Sequence, residues 1–248
     1  MTTRRAQAAF TLVELAVVMA IVGLLLAGAM MTISAQAEQR AIDETRRRLN
    51  AAVEALVAYA VVNGRLPCPA TTGAGLFGDE NPAGGGACLN PYGGFLPARS
   101  VGFQPTDELF YGLDAWNNRI RYAVSAVAPT GCAGGLVWHF TNATNLKTYG
   151  MSCKPNDLEV CSAAGACSAA NRVVAQNTAA FIVYSVGKNG PVPSAYGADE
   201  TENTNGDARF VSRTWSGSDA AAGYYDDLMV VVPAGAFYSR LVAAGVLP

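Results

Sequence analysis

The sequence predicts an α+β fold: a long N-terminal helix with a membrane-spanning first half, packed through its second half on a small antiparallel sheet with long disulfide-stapled loops. Three observations carry this. Residues 15–37 run for 23 positions without a charge. Apolar residues then keep a helical spacing to about residue 62. Beyond Asp114, short apolar stretches with β-type patterning alternate with segments rich in Gly, Asn and Cys.

The 248 residues suffice for an anchor and one domain with a real core. The formal net charge is −2, and the basic residues are scattered except for Arg46-Arg47-Arg48, expected on a solvated helix face. No basic stripe calls for a nucleic acid partner.

At about 1.5 Å per residue, a helix over 15–37 exceeds the ~30 Å hydrocarbon core of a bilayer. Arg4 and Arg5 precede it, so the positive-inside rule leaves the C-terminal bulk across the membrane. A cleaved secretory signal is one alternative, because Ala35-Gln36-Ala37 has small-x-small form; the apolar run is longer than such signals use. A twin-arginine signal lacks its hydrophobic pair after Arg4-Arg5, and a plain single-pass anchor leaves Glu14 unexplained.

Glu14 sits at the start of the apolar run. A carboxylate there is either an interfacial first-turn group favoured by the helix dipole or a charge that needs a partner. Ala16, Ala20, Gly23 and Ala27 follow at i, i+4, i+7 and i+11, a small-residue stripe on one helix face that lets backbones approach closely.

Ala9-Phe10-Thr11-Leu12-Val13-Glu14-Leu15 resembles the processing site of type IV prepilins and type II secretion pseudopilins. The resemblance implies a leader of residues 1–9, removed by prepilin peptidase between Ala9 and Phe10, and N-methylation of Phe10. It implies that Glu14 pairs with the terminal amine of a neighbouring subunit. The implied regions are 10–37 (transmembrane and assembly half of the helix), 38–62 (its amphipathic half) and 63–248 (an extracytoplasmic α+β domain). Two departures stand out: Ala9 replaces the usual Gly, and Met31 stands near where many major subunits have Pro, which fits a minor subunit.

Ile42, Leu49, Val53, Leu56 and Ala60 form an amphipathic stripe, with Asp43/Arg47 and Glu44/Arg48 as i, i+4 pairs on the wet side. The helix should stop at Asn63-Gly64, before Pro67. Residues 63–115 are rich in Gly and Pro and read as an irregular loop; Gly84-Gly85-Gly86 lacks the Lys-Ser/Thr of a phosphate loop.

Asp114-Ala115-Trp116-Asn117-Asn118 turns into a strand in which Ile120, Tyr122 and Val124 alternate with Arg119, Arg121 and Ala123, with Trp116 in the core. This stretch is similar to the start of the pseudopilin sheet. Further strands are expected at 136–140, 179–186 and 228–232, with residues 141–172 as loop and 234–244 as a closing helix. His139 has no catalytic constellation around it and reads as a packed histidine.

All six cysteines lie beyond the apolar segment, which points to disulfides in an oxidising compartment. Loop spacing favours Cys68–Cys88, Cys132–Cys153 and Cys161–Cys167 among the fifteen connectivities. Zinc is the rival reading, and neither a Cys-x-x-Cys pair nor a second histidine supports it.

Residues 187–224 contain no cysteine. Tyr184 to Gly190 resembles the pseudopilin segment before an ion-binding loop, and in major pseudopilins a calcium ion clamps that loop. Here Asp199, Glu200, Glu202, Asn203, Asn205 and Asp207 supply the oxygens that calcium prefers, without EF-hand spacing. A solvated acidic loop is the alternative. No motif calls for another cofactor.

The resemblance implies a structural subunit and no enzyme: a minor pilin or pseudopilin of a type IV pilus or type II secretion filament. Its implied partners are other pilin subunits, prepilin peptidase and the bacterial inner membrane, with the C-terminal domain periplasmic. The alternatives are a filament-tip binding module or adhesin, and a membrane-anchored extracytoplasmic protein unrelated to filaments.

Overall fold

A computed structural model describes residues 12–73, 75, 77–126, 138–155, 157–190, 192–217, 219–221 and 223–247; the side chains of 26–35 lie outside the described set. The chain divides into two units, residues 1–43 and 44–248.

Helix α1 (Leu12–Asn63) is unbroken, as its lack of internal proline allows. It ends where expected: Gly64 takes φ +67, the left-handed conformation that stops a helix. Among the described residues no helix is long and apolar enough to cross a membrane.

In the second unit α1 buries Thr45, Leu49, Ala52, Leu56 and Ala60, one face at steps of three and four. Glu44 pairs with both Arg47 and Arg48, whereas Asp43 accepts from Gln39 instead of pairing with Arg47. Arg48 leaves the solvated face expected of it. Its Nη1 donates to the carbonyls of Leu113 and Asp114 at 3.2 and 2.7 Å, because an arginine stem reaches across a helix face that a shorter side chain would leave wet.

The central sheet is antiparallel, in the order β1 (Gly94–Phe95), β2 (Arg121–Val124), β4 (Ala179–Ser185), β6 (Leu228–Pro233). Pairing runs from Arg121↔Tyr184 to Val124↔Phe181, and from Ser185↔Leu228 to Ala179↔Pro233 through a bulge near Ala179/Phe181. Every residue of β4 is buried. Phe181 and Val183 face a core with Leu49, Leu56, Tyr122, Val124 and Phe237, while Ile182 and Tyr184 face a second core with Ala123, Val160 and Phe210. The alternation expected in β2 is lost beyond its first residue: Arg121 is half-buried, but Ala123 is as buried as Tyr122. Helix α5 (Ala234–Ala243) follows β6 directly and buries Phe237, Tyr238 and Leu241.

Several expectations need correction. Trp116 is half-buried, and the buried residue of its turn is Asp114. No strand forms at 138–140: Trp138 adopts φ +61 and Phe140 enters the core from a turn, its carbonyl accepting from Leu66 N at 2.8 Å. Leu136 and Val137 lie outside the described residues. The expected loop at 141–172 holds α3 (Ala143–Tyr149), capped by Asn142, whose side chain accepts from Asn145 N at 3.1 Å, and β3 (Glu159–Cys161). The acidic stretch is not a loop throughout. It holds α4 (Ala198–Thr204) and β5 (Arg209–Val211), which pairs with β3 in parallel. Between β1 and β2 lies the short α2 (Ala98–Val101).

Disulfides join Cys68 to Cys88 and Cys161 to Cys167. Cys153 is also disulfide-bonded, and its expected partner Cys132 lies outside the described residues.

His139 is buried, with Nε2 3.0 Å from the Tyr238 hydroxyl. Burial holds its pKa down at about 4, from an ordinary 6.5. The unfolded chain takes up this proton near pH 6.5 and the native one only near 4, so about 3 kcal/mol of stability present above 6.5 is lost as pH falls through that window. His139 is the sole histidine, so its ring proton resonance is unambiguous. In the folded protein that resonance should not move between pH 8 and 5; a midpoint near 6.5 would show the ring to be solvated.

Candidate functional site

Two regions carry chemistry beyond packing. The first is the start of α1. Leu12, Val13, Leu15, Val17, Val18, Met19, Ile21, Val22, Leu24 and Leu25 are all exposed, Leu12 by 86% and Leu24 by 76%. An uncovered apolar surface of this extent calls for lipid or another helix. Glu14 lies in the first turn, where the helix dipole favours a carboxylate. Ala16, Ala20 and Gly23 are exposed on the same stretch, and a Cβ built at Gly23 meets nothing within 4 Å. Ala9 and Phe10 lie outside the described residues, as does the side chain of Ala27.

The second region is a buried carboxylate cluster. The six residues expected to hold calcium are not brought together as one site. Asp199 pairs with Arg213 at 2.6 Å. Glu202 pairs with Arg209 at 3.2 Å. Asn205 and Asp207 are exposed and hydrogen-bond each other at 3.1 Å. Asn203 is buried as a structural bridge: its Nδ2 donates to Val211 O and Asp227 Oδ2, and its Oδ1 accepts from Val211 N. The reason is helical: α4 spreads Asp199, Glu200, Glu202 and Asn203 around its axis.

Of that set only Glu200 joins other carboxylates. It meets Asp226 and Asp227, with one ligand atom from each within 4.8 Å of the others. Glu200 is 1% exposed, Asp226 6% and Asp227 5%. Glu200 Oε2 accepts from Asn189 Nδ2 at 2.8 Å and Gly197 N at 3.2 Å; its Oε1 accepts from Asp226 N at 3.1 Å. Asp226 Oδ2 accepts from Lys188 N and the Tyr224 hydroxyl, at 2.8 and 2.7 Å. Asp226 Oδ1, Asp227 Oδ1 and Asn189 Oδ1 are buried with no hydrogen-bond donor. Gly187, at φ +65, is required beside Asp226, since a Cβ there would lie 2.0 Å from Oδ1.

The electrostatics follow. Burial, with the Glu200 charge adding to it, pushes the Asp226 carboxyl up to about 6. Burial, reinforced by Glu200 and Asp226, pushes Asp227 well above the usual carboxylate range. Two of the three carboxylates, Asp226 and Asp227, keep a buried oxygen without a donor, as does the neighbouring Asn189 amide, and hard oxygens of this kind suit a cation such as calcium. Sequence reasoning missed Asp226 and Asp227 because they lie just beyond the acidic stretch; the adjacent Asp pair before an apolar run was the available signal.

No curated protein and no solved structure matches the chain. Residues 4–30 match the family model described as the prokaryotic N-terminal methylation motif, so the chain carries the hallmark of the type IV prepilin and pseudopilin family.

Proposed function

We propose that the chain is a structural subunit, a minor pilin or pseudopilin, of a type IV pilus or type II secretion filament. Prepilin peptidase cuts between Ala9 and Phe10, and Phe10 becomes the methylated terminus. Residues 10–37 then hold the subunit in the bacterial inner membrane as a single span, with the C-terminal domain in the periplasm. Assembly into the filament proceeds through Glu14 and the stripe Ala16, Ala20, Gly23 and Ala27. The observation that carries this reading is the methylation motif at 4–30 running into a helix with an uncovered apolar surface. The motif belongs to structural subunits and not to enzymes.

Mass spectrometry of the mature N-terminus tests it. A chain beginning with methyl-Phe10 supports the reading; a start at Glu38 means a secretory signal, and an intact Met1 a plain anchor. Glu14→Ala should stay folded and membrane-inserted yet enter filaments about tenfold less, because the pairing that sets axial register is gone. Normal incorporation of that variant, measured in sheared filament fractions, contradicts the assembly role.

A filament-tip binding module is the second reading, favoured by Phe77, Leu89, Leu109 and Phe110, all exposed in the long connection between α1 and β2. Phe77→Ser with Phe110→Ser discriminates: a structural subunit keeps its function, whereas a tip adhesin loses ligand binding.

A further inference from the structure

We propose that β6 is an open docking edge: it takes up an extended segment of a partner protein, apolar with a carboxylate, as a further strand of the central sheet. The proposal rests on the second unit alone and not on filament assembly.

Backbone hydrogen bonding is the first argument. The central sheet ends in β1 on one side and in β6 on the other. The β1 edge is closed, because Ala70 and Phe95 exchange both backbone hydrogen bonds, at 2.8 and 2.9 Å. The smaller sheet is closed as well. Val173 N donates to Val160 O on β3, and on β5 the Asn203 side chain donates to Val211 O and accepts from Val211 N. β6 differs. It pairs with β4 from Leu228 to Pro233, and an antiparallel strand turns the N–H and C=O of every second residue away from its partner. Among the described residues no group bonds to that outward row.

The side chains of β6 are the second argument. Leu228-Met229-Val230-Val231-Val232 has no charge and no proline, so it lacks the usual guards of an exposed edge. Residues 228–231 are only half-buried, whereas β4, with a strand on each side, is buried throughout. Leu228 and Val230 border the core under α1, and Met229 and Val231 border the second core. A strand laid beside β6 therefore covers apolar surface on both faces of the sheet.

A groove of about 320 Å³ runs along Leu228 to Val230, between Arg46, Leu49 and Asn50 of α1 and the Ser212-Arg213 segment after β5. Its charges choose the occupant. Arg213 is paired with Asp199 at 2.6 Å, and Asp227, also in the lining, is buried against the Asn203 amide. Arg46 is exposed, and among the described residues no carboxylate pairs with it; Glu44 is taken by Arg47 and Arg48. One unspent cation beside apolar side chains and a free strand edge suits an extended segment that places a carboxylate among apolar residues. A second copy of β6 carries no charge to meet Arg46.

The test titrates the full-length protein in detergent with a fluorescein-labelled, end-capped peptide of about six residues, alternating valine and threonine around one glutamate. Saturable binding is expected, and it should slow hydrogen exchange of the 228–232 backbone. Exchange at Arg121 and Tyr122 should not change, because strands already flank them on both sides. The same peptide N-methylated throughout should bind at least about tenfold more weakly, since it cannot donate to the outward carbonyls. Arg46→Glu changes an exposed side chain and should leave the fold intact, yet weaken binding about fivefold; a lysine in place of the peptide's glutamate should restore it. Any of four results would overturn the proposal: no saturable binding, equal binding of the N-methylated peptide, unchanged affinity in Arg46→Glu, or protection that appears elsewhere and not at 228–232. A protein that dimerises through this edge and ignores the peptide would likewise replace the partner segment with a second copy.

Discussion

Replacing Glu80 by alanine is expected to lower the free energy of unfolding by about 3–5 kcal/mol, measured by urea denaturation. Glu80 and Arg65 form a bidentate pair at 2.7 Å, each side chain 9% exposed. The same carboxylate accepts from the Tyr59 hydroxyl at 2.8 Å and from Cys68 N and Gly84 N at 3.2 Å. It thus ties the end of α1 to the Gly-rich loop next to the Cys68–Cys88 disulfide. Alanine leaves the guanidinium buried without its counter-ion, the costly way to break such a pair. Burial alone would raise the Glu80 carboxyl, but hydrogen bonds from Arg65 and Tyr59 outweigh it and hold the pKa below the ordinary 4.5. The stabilisation is therefore complete above pH 4.5 and is lost as pH falls through the lower native value. Replacing both partners, Arg65→Met with Glu80→Leu, should cost less than Glu80→Ala alone, because no charge is stranded. A single variant within 1 kcal/mol of the parent would mean that water replaces the carboxylate.

Asp114→Ala should cost a similar amount, about 3–5 kcal/mol, for a different reason: it strands donors rather than a charge. Asp114 is fully buried. Its Oδ1 accepts from Trp116 N and Asn118 N at 2.9 and 2.8 Å, and its Oδ2 from the Ser185 hydroxyl at 2.5 Å. The first two bonds shape the turn that leads to β2; the third joins that turn to the last residue of β4. Arg48 seals the arrangement by donating to the Asp114 carbonyl. Asparagine is expected to be milder, at about 1–2 kcal/mol, since its carbonyl can keep the two amides while its NH₂ donates to Ser185 Oγ. Equal losses for Ala and Asn would show that the charge, and not the acceptor geometry, matters here.

The elements that were readable from sequence are those whose signals are local. Gly64 ends α1 because only a left-handed residue closes that turn. The runs that became β4, β6 and α5 are long enough for apolar content and length to mark them. β3 and β5 have three residues each, too few for any period, and exist because they pair with each other. Helices α3 and α4 were masked by polar composition, although Asn142 and Glu200 were capping signals in plain view. Trp138 and Phe140 mimic a strand in apolar content, yet a positive φ at Trp138 turns the chain inward.

The same division holds for the sites. By itself the sequence determined the methylation motif, the uncharged stretch with Glu14 at its start and the small-residue stripe, because contiguous residues and fixed helical spacing define them. It also supplied the acidic residues of the 187–224 stretch, but not their roles. Tertiary structure decided that Asp199 and Glu202 are spent on arginines and that Glu200 meets Asp226 and Asp227. The physical reason is that an acid's role depends on what lies across from it. Here that is set by the β4–β6 pairing, which brings residues 185 and 228 side by side and carries Asp226 and Asp227 under α4.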